Sequence, residues 1–205
     1  MRAVDVLIIG GGNAGLSLAS VLSVHGLRVA VVDQLDPVLF CNAAFDGRTL
    51  ALTYGSSNFY RNIGVWEDLE AFGEPILHIQ TSDNHAPEKL NYKAADVGYS
   101  PMGYIFELHT FREVLYKFTR QCSSIYWYAP DCLDTLERSE TAIYATLKSG
   151  VKIKAALCAA ADGRASALRR MTDIKISTWS YKQTAIVCCI EHEKPHHGLA
   201  MENFM

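Results

Sequence analysis

The stretch Asp5-Val6-Leu7-Ile8-Ile9-Gly10-Gly11-Gly12-Asn13-Ala14-Gly15 decides the fold of this chain. Its apolar first half predicts a buried strand, and its glycines at positions 10, 12 and 15 have the spacing G-x-G-x-x-G. Apolar residues at helical spacing follow, and they end near Gly26, a residue type that suits a helix C-terminus. The run Val29–Val32 then predicts a second strand. This order of strand, glycine turn, helix and strand is typical of a nucleotide-binding βαβ unit.

The glycine turn has residue types that suit a dinucleotide. Gly10 permits a tight turn, Gly12 lets the backbone approach a pyrophosphate, and Gly15 lets the helix pack closely on the strand. The helix that begins at Asn13 and Ala14 presents free N–H groups and the positive end of its dipole to phosphates. We therefore expect these five residues to bind a cofactor.

An acidic residue at the end of the second predicted strand supports this interpretation. Asp33 lies 23 residues after Gly10, near the spacing of a carboxylate that binds an unphosphorylated ribose, as in FAD or NAD. The alternative is a plain Gly-rich turn between a strand and a helix. The combination of strand, helix, second strand and acid disfavours that alternative.

A second candidate turn is Ala161-Asp162-Gly163-Arg164-Ala165-Ser166-Ala167-Leu168-Arg169, which follows an apolar run that predicts a buried strand. Asp162-Gly163 at such a junction can bring the backbone close to a ligand, and Ser166 and Arg169 add a hydroxyl and a cation. Alone, the segment is equally compatible with an ordinary strand-to-helix turn. Ligands of open α/β sheets bind beyond the carboxyl ends of the strands. We therefore expect this turn and the Gly10 turn to lie at one edge of one sheet.

Composition limits the classes of function. The chain has 205 residues, of which 49% are hydrophobic and 20% charged, and a net charge of −3, which is ordinary for a globular protein. There is no basic excess, so we expect no nucleic-acid partner. The six cysteines show no C-x-x-C spacing, so we predict no metal site and a reducing, cytoplasmic location. No run of 18 or more apolar residues predicts a membrane-spanning helix.

The middle of the chain predicts both helices and strands. Phe59, Ile63 and Trp66 fall at helical spacing and predict one helix, and the period of His109–Gln121 predicts another. Short apolar runs between Pro75 and Phe106 predict antiparallel strands. Further strands are predicted as a small meander at 133–137, 142–147 and 151–154.

The last part of the chain returns to strand patterns. Lys175–Trp179 and Tyr181–Glu191 predict two strands, and Leu199–Met205 predicts the start of a third. We expect these strands to pair with those between Pro75 and Phe106 in a second, incomplete sheet.

Together, four segments resemble the FAD-dependent aromatic hydroxylases of ubiquinone biosynthesis, which are single-component flavoprotein monooxygenases. These segments are Asp5–Gly15; Phe45–Leu52 with Gly64-Val65-Trp66; Ala161–Arg169; and Trp179–Gln183 leading to Ala200–Phe204. The first is shared by many flavoproteins and the third marks the hydroxylase class, while the second and fourth together point to the quinone branch. The similarity covers essentially the whole chain but only about the first half of a typical family member.

The resemblance implies roles for the candidate residues. The glycine turn would hold the FAD pyrophosphate, and Asp33 would bind the adenosine ribose. Asp162-Gly163 matches the motif that the family uses near the FAD pyrophosphate and for NAD(P)H, and Ser166 and Arg169 match the remaining fixed positions of that motif. The alternative for Arg169 is local capping or pairing.

One further arginine matches the family. Arg48 resembles the arginine that reaches the FAD, and its alternative is a surface or ion-paired arginine. No catalytic residue and no metal ligand is predicted, because the hard chemistry belongs to the cofactor.

The implied fold is α/β: a three-layer FAD/NAD(P)-binding domain has a parallel sheet with helices on one face and a small β-meander on the other. Part of an antiparallel substrate-domain sheet would accompany it. The predicted FAD-binding domain comprises 1–73 and 107–172, and the partial substrate domain comprises 74–106 and 173–205.

The implied activity is hydroxylation of the aromatic ring of a polyprenylated phenol, with FAD as cofactor, NAD(P)H as co-substrate and O₂ as oxidant. Peripheral contact with the inner membrane, or with a complex of ubiquinone-pathway proteins, would fit such a substrate. The alternatives are a flavin hydroxylase of another phenol and a non-catalytic module that binds a nucleotide or a partner protein.

One family feature has no match in this sequence. Family members carry a second FAD motif further on, a Gly-Asp followed by a loop rich in Pro and Gly. We therefore expect an N-terminal fragment that binds FAD weakly or not at all and is inactive by itself.

Overall fold

The computed structural model describes residues 1–41, 45–85, 87–98 and 100–205. The strands are β1 (Arg2–Ile9), β2 (Val29–Val32), β3 (Thr49–Thr53), β4 (Glu74–Ile76), β5 (His78–Asp83), β6 (Lys89–Lys93), β7 (Gly103–Glu107), β8 (Ile125–Tyr128), β9 (Leu133–Arg138), β10 (Ile143–Leu147), β11 (Lys152–Ala160) and β12 (Leu199–Phe204). The helices are α1 (Asn13–Val24), α2 (Pro37–Cys41), α3 (Tyr54–Asn62), α4 (Trp66–Glu70), α5 (Leu108–Gln121) and α6 (Ala167–Met171), and Ala94–Val97 is a 3₁₀ turn.

A six-stranded sheet carries both candidate turns. Its order is β8-β2-β1-β11-β10-β9, and the four strands from β8 to β11 are parallel. The register pairs Ile9 at the end of β1 with Ala160 at the end of β11, so the two turns that follow leave the same edge of the sheet. The expectation that Gly10 and Asp162 share one edge is therefore confirmed.

The two faces of this sheet are covered differently, as the sequence predicts. Side chains of a strand alternate between faces. On one face, Val6 and Ile8 of β1 form a buried cluster with Ala19 of α1. On the other face, Leu7 and Ile9 form a cluster with residues of the β10 part of the meander, including Leu147. Both faces of β1 and β2 are buried, which explains their continuous apolar sequences.

The meander is also part of the sheet. β10 pairs antiparallel with both β9 and the first half of β11. The same strands therefore extend the hydrogen-bonded ladder and supply the apolar residues that cover one face.

Residues 45–111 contain an antiparallel sheet of order β3-β7-β4. Another three-stranded sheet has the order β12-β5-β6, so β5 is its central strand. The last strand pairs with β5 as expected, but it does so in parallel, with Leu199 opposite His78. Because β5 and β6 are antiparallel, this second sheet is mixed rather than purely antiparallel.

A glycine divides the helix expected around Phe59. Gly64 has a φ of 74°, which lies in the left-handed region and does not continue an α-helix. The chain therefore forms α3 and then α4, and the prediction of a single helix is wrong. Tyr60 and Trp66 are nevertheless buried, so both short helices place an aromatic side chain in the core.

The strands expected at Lys175–Trp179 and Tyr181–Glu191 are absent, and that prediction is wrong. Residues 174–198 form neither helix nor strand in the structure, and Ile186 and Ile190 are 91% and 74% exposed. A strand needs a neighbour that pairs with its backbone N–H and C=O groups. No described strand pairs with this segment, so the residues of the two predicted strands form no ladder of backbone hydrogen bonds to a neighbouring strand despite their preference for β structure.

The structure divides into two compact units, each built from two parts of the chain. Unit 1 comprises Met1–Ala44 and Arg112–Ala185, and unit 2 comprises Phe45–Phe111 and Ile186–Met205. These bounds differ from those of the predicted domains, chiefly at 45–73, and the predicted division into domains stays a prediction. Among the described residues, no helix is long and apolar enough to cross a membrane.

Candidate cofactor site

The three motif glycines have distinct structural roles. Gly10 has a φ of 110°, and a Cβ there would lie 2.2 Å from the carbonyl oxygen of Ala161. A Cβ on Gly15 would lie 1.9 Å from the carbonyl oxygen of Gly10. Apart from Gly12 itself and its chain neighbours, no atom of the described residues lies within 4 Å of the place where a Cβ on Gly12 would stand. Gly10 and Gly15 are thus needed for the close approach of β1, β11 and α1, whereas Gly12 leaves open space in front of the turn.

The N-terminus of α1 is not capped by a side chain. Gly12 is the N-cap residue, with an extended backbone, and the helix begins at Asn13. The first N–H groups of an α-helix lack partners within the helix. A cap of Ser, Thr, Asp or Asn would accept hydrogen bonds from them, but glycine cannot. The first turn of α1 therefore presents backbone donors and a positive dipole end to an anion.

Asp33 follows β2 and lies against the glycine turn. Its Oδ2 accepts a hydrogen bond from the backbone N–H of Gly11 at 2.5 Å, and its Oδ1 accepts one from the N–H of Leu35 at 2.7 Å. The side chain is 10% exposed. The structure thus brings the predicted ribose-binding acid and the glycine turn together.

Arg112 of α5 is a site residue that sequence reasoning missed. Its Nε and Nη2 donate to the carbonyl oxygen of Gly11 at 3.1 and 3.0 Å, and its Nη2 lies 3.5 Å from Oδ2 of Asp33. The guanidinium also stacks on the ring of Phe40, 3.8 Å from the ring centroid. One arginine in an amphipathic helix gives no local signal of a partner about a hundred residues earlier in the chain.

In the second turn, side chains of the protein accept hydrogen bonds from the N–H groups at the start of α6. Oδ2 of Asp162 accepts from the N–H groups of Ala167 and Leu168 at 2.7 and 3.1 Å, and Oγ of Ser166 accepts from the N–H of Arg169 at 3.0 Å. Ser166 is buried. Two side chains therefore cap the first turn of α6.

These hydrogen bonds affect the acidity of Asp162. Burial by itself would raise the pKa of the carboxyl, but hydrogen bonds from the Ser166 hydroxyl and from the Leu168 and Ala167 amides outweigh it and hold the pKa below its ordinary value. Asp162 is therefore a carboxylate at neutral pH.

The predicted arginines have local partners. Nη2 of Arg169 donates to the carbonyl oxygen of Arg164 at 2.8 Å. Arg48 belongs to unit 2, where its Nη2 lies 2.6 Å from Oδ2 of Asp46 and its side chain is 65% exposed. Both contacts match the alternatives that the sequence left open, namely local pairing and a surface ion pair. Their roles toward FAD, like that of Gly163 with its φ of 80°, stay predictions.

Unpaired polar atoms around the two turns suit a dinucleotide. Oδ1 of Asn13 and Oδ1 of Asp162 are buried and accept no hydrogen bond within the described structure. Both can accept hydrogen bonds from hydroxyl groups, and the open α1 N-terminus can donate to phosphates. Asp33 completes a set of acceptors for ribose. The residues present therefore fit a dinucleotide such as FAD.

The fold and the site define a dinucleotide-binding α/β protein, with its glycine turn and Asp33 at the carboxyl edge of a parallel sheet. Residues 3–197 match the FAD-binding domain family, and the chain belongs to that family. The predicted α/β fold class and the predicted cofactor, FAD, are thereby confirmed.

Two curated relatives are named as ubiquinone-pathway hydroxylases. The chain is 36% identical over 204 residues to ubiquinone hydroxylase UbiL of Rhodospirillum rubrum, an alignment that covers 100% of the chain and 47% of the relative. It is 27% identical over 191 residues to 3-demethoxyubiquinol 3-hydroxylase of Escherichia coli, covering 92% of the chain and 49% of that protein. The chain thus spans about half the length of these curated relatives.

A solved structure supports the fold. PqsL, a probable FAD-dependent monooxygenase from Pseudomonas aeruginosa, superposes with a TM-score of 0.74 at 21% identity over 88% of this chain and 48% of PqsL. At this identity, the likeness concerns the fold alone.

Proposed function

We propose that this chain is the FAD-binding part of an FAD- and NAD(P)H-dependent monooxygenase that hydroxylates the aromatic ring of a polyprenylated phenol in ubiquinone biosynthesis. The observation that carries the proposal is the uncapped glycine turn beside Asp33, at the same sheet edge as the Asp162 turn. Family membership and the names of the relatives support FAD and the quinone pathway.

Each group at the sheet edge has a binding role in this proposal. The N–H groups at the start of α1, from Asn13 and Ala14, bind the pyrophosphate, and Gly12 leaves room for it. Asp33 accepts a hydrogen bond from a hydroxyl of the adenosine ribose. FAD supplies the redox chemistry and the activation of O₂. The protein binds and orients the cofactor.

In this proposal the main role of the Asp162 turn is to hold the backbone at the sheet edge in place. Asp162 and Ser166 hold α6 in place, and Oδ1 of Asp162 keeps one acceptor for a ligand hydroxyl. Gly163 and Arg169 complete the family motif for FAD and NAD(P)H. The enzyme acts in the cytoplasm, with peripheral contact with the inner membrane or with other proteins of the ubiquinone pathway, where its substrate is found.

The experiment is a competition between cofactor fragments. FAD binding to the purified chain is measured by flavin fluorescence, and ADP and FMN are added as competitors. We expect ADP to displace FAD because it carries the pyrophosphate and adenosine ribose, and we expect FMN to compete far less. The matched control is Arg138→Gln, which removes an exposed arginine of β9 and should leave FAD binding unchanged.

Two outcomes would contradict the proposal. One is the absence of binding by both FAD and ADP, because weak or absent FAD binding alone is already expected of this chain, and the other is equal competition by FMN and ADP. NAD(P)H oxidation with a short-chain prenylated phenol, followed in the same preparation, tests the separate prediction that these 205 residues alone are inactive.

A further inference from the structure

Arg112 contacts three parts of unit 1 that are distant in sequence. Its guanidinium donates twice to the carbonyl oxygen of Gly11, approaches the carboxylate of Asp33 and stacks on Phe40 of α2. The side chain is 19% exposed, so these contacts form in a largely water-excluded place. A planar guanidinium can make several such contacts at once because its donors have a fixed fork geometry.

The contacts of Arg112 and Asp33 meet at one residue of the glycine turn. The N–H of Gly11 donates to Asp33, while the C=O of Gly11 accepts from Arg112. Both polar groups of the same residue are therefore held, one by an acid and one by a base. This arrangement fixes the Gly11 peptide and the Asp33 carboxylate relative to each other.

The fixed arrangement limits how Asp33 can meet a ligand. A carboxylate has about four acceptor sites. One oxygen accepts from Gly11 and faces Arg112, and the other accepts from Leu35. The acceptor sites that remain are thus held in set directions before any ligand arrives. A preorganised carboxylate binds a hydroxyl better than a mobile one, because no ordering is needed on binding.

We propose that Arg112 is a positioning residue for the adenosine ribose of the cofactor, acting through Asp33 and Gly11. The inference rests on the proposed function, in which Asp33 binds that ribose. It differs from a role in which Arg112 contacts a phosphate directly, because that role would not depend on the ribose hydroxyls.

The first test uses the chain without cofactor. Amide hydrogen exchange measured by NMR is compared for the wild type, Arg112→Met and Arg112→Lys. We expect the N–H of Gly11 to exchange at least tenfold faster in Arg112→Met, with the N–H of Ile8 in β1 unchanged. Lysine has one ammonium in place of the fork, so Arg112→Lys should restore only part of the protection.

A variant of the same helix is the control for this test. Arg120→Met replaces an exposed arginine in the last turn of α5 and should leave Gly11 unaffected. Unchanged exchange at Gly11 in Arg112→Met would overturn the inference. So would equally faster exchange at Gly11 and Ile8, which would indicate general loosening of the sheet.

The second test asks about the ribose itself. The affinities for FAD and for an analogue with 2′-deoxyadenosine are compared in the same proteins. The wild type and Arg120→Met should prefer FAD, and Arg112→Met should lose most of that preference. An equal loss of affinity for both ligands in Arg112→Met would overturn the positioning role, since it would indicate a direct phosphate contact or a structural effect.

The two tests separate failure of the inference from failure of the proposed function. If the wild type binds neither FAD nor ADP, the proposed function fails, and the exchange of Gly11 alone decides the role of Arg112. If FAD binds but Arg112→Met keeps the full ribose preference, the proposed function stands and the inference fails.

Discussion

Two helices begin at the same edge of the six-stranded sheet, and their first turns are built in opposite ways. The N-terminus of α1 follows β1, and its cap is Gly12, which has no side chain to bond the free N–H groups. The N-terminus of α6 follows β11, and Asp162 and Ser166 bond its N–H groups. One terminus is therefore open to an anion, and the other is closed by the protein itself.

The comparison teaches which turn can bind phosphate. A helix N-terminus binds an anion through donors that nothing else has occupied. By this measure the candidate phosphate site is at α1, whereas Asp162 and Ser166 stabilise the adjacent helix terminus. Both turns look alike in sequence, as a small-residue junction between an apolar strand and a helix. Four predictions test the difference.

The largest effect is expected where the open turn is packed most tightly. Gly15→Ala would place a Cβ 1.9 Å from the carbonyl oxygen of Gly10, so backbone must move. We expect the free energy of unfolding to fall by about 3 kcal/mol, measured by urea denaturation. Gly55→Ala in α3 is the control because alanine favours a helix and because, beyond the neighbouring backbone of α3, no described atom lies within 4 Å of the added Cβ. A change of similar size in both variants would contradict the packing argument.

The second prediction closes the open terminus. In Gly12→Ser, the hydroxyl can cap α1 as Ser166 caps α6, and it will compete with a phosphate for the same N–H groups. We expect FAD affinity to fall about tenfold or more, which corresponds to about 1.4 kcal/mol. Stability should change by only a few tenths of a kcal/mol. Unchanged FAD affinity in fluorescence titrations would show that the pyrophosphate does not bind at this terminus.

The third prediction opens the closed terminus. Ser166→Ala removes the acceptor for the N–H of Arg169, and we expect a loss of about 1 kcal/mol in unfolding free energy. FAD affinity should change less than in Gly12→Ser, because Asp162 still occupies two N–H groups. Ser139→Ala, which removes a cap-like hydroxyl from the turn of the meander, controls for loss of a structural hydroxyl. A larger loss of FAD affinity in Ser166→Ala than in Gly12→Ser would reverse the assignment.

The smallest effect concerns acid. The pKa of Asp162 is lower in the folded protein than in the unfolded chain. Its contribution to stability is therefore fully present above the unfolded value of about 4 and is lost as the pH falls through the folded value. In urea denaturation from pH 6 to pH 2, Asp162→Asn should show a shallower loss of stability with acid than the wild type. Identical slopes would mean that the capping bonds do not depend on the charge.

Much of the site could be predicted because it is encoded locally. The glycine spacing, the apolar strands and Asp33 can all be recognised within about thirty residues of sequence. The geometry of a βαβ unit places the end of its second strand, and so Asp33, close to the glycine turn. No local sequence pattern identifies Arg112 as part of this site, because its partners Gly11 and Asp33 are far away in the chain. Nor did the sequence indicate whether the segment 174–198 finds a pairing strand.

The sequence by itself determined the βαβ unit, the sheet edge at which the candidate site lies and the family. The spacing of the apolar side chains and the positions of the glycines suffice for this, since both determine the structure of residues that are close in sequence. Only the tertiary structure decided that α1 is open while α6 is capped by Asp162 and Ser166, and that Arg112 holds Gly11 and Asp33 together. A hydrogen bond depends on the distance between two groups in space. When the two residues are about a hundred positions apart, as Arg112 and Gly11 are, local sequence patterns do not reveal that distance.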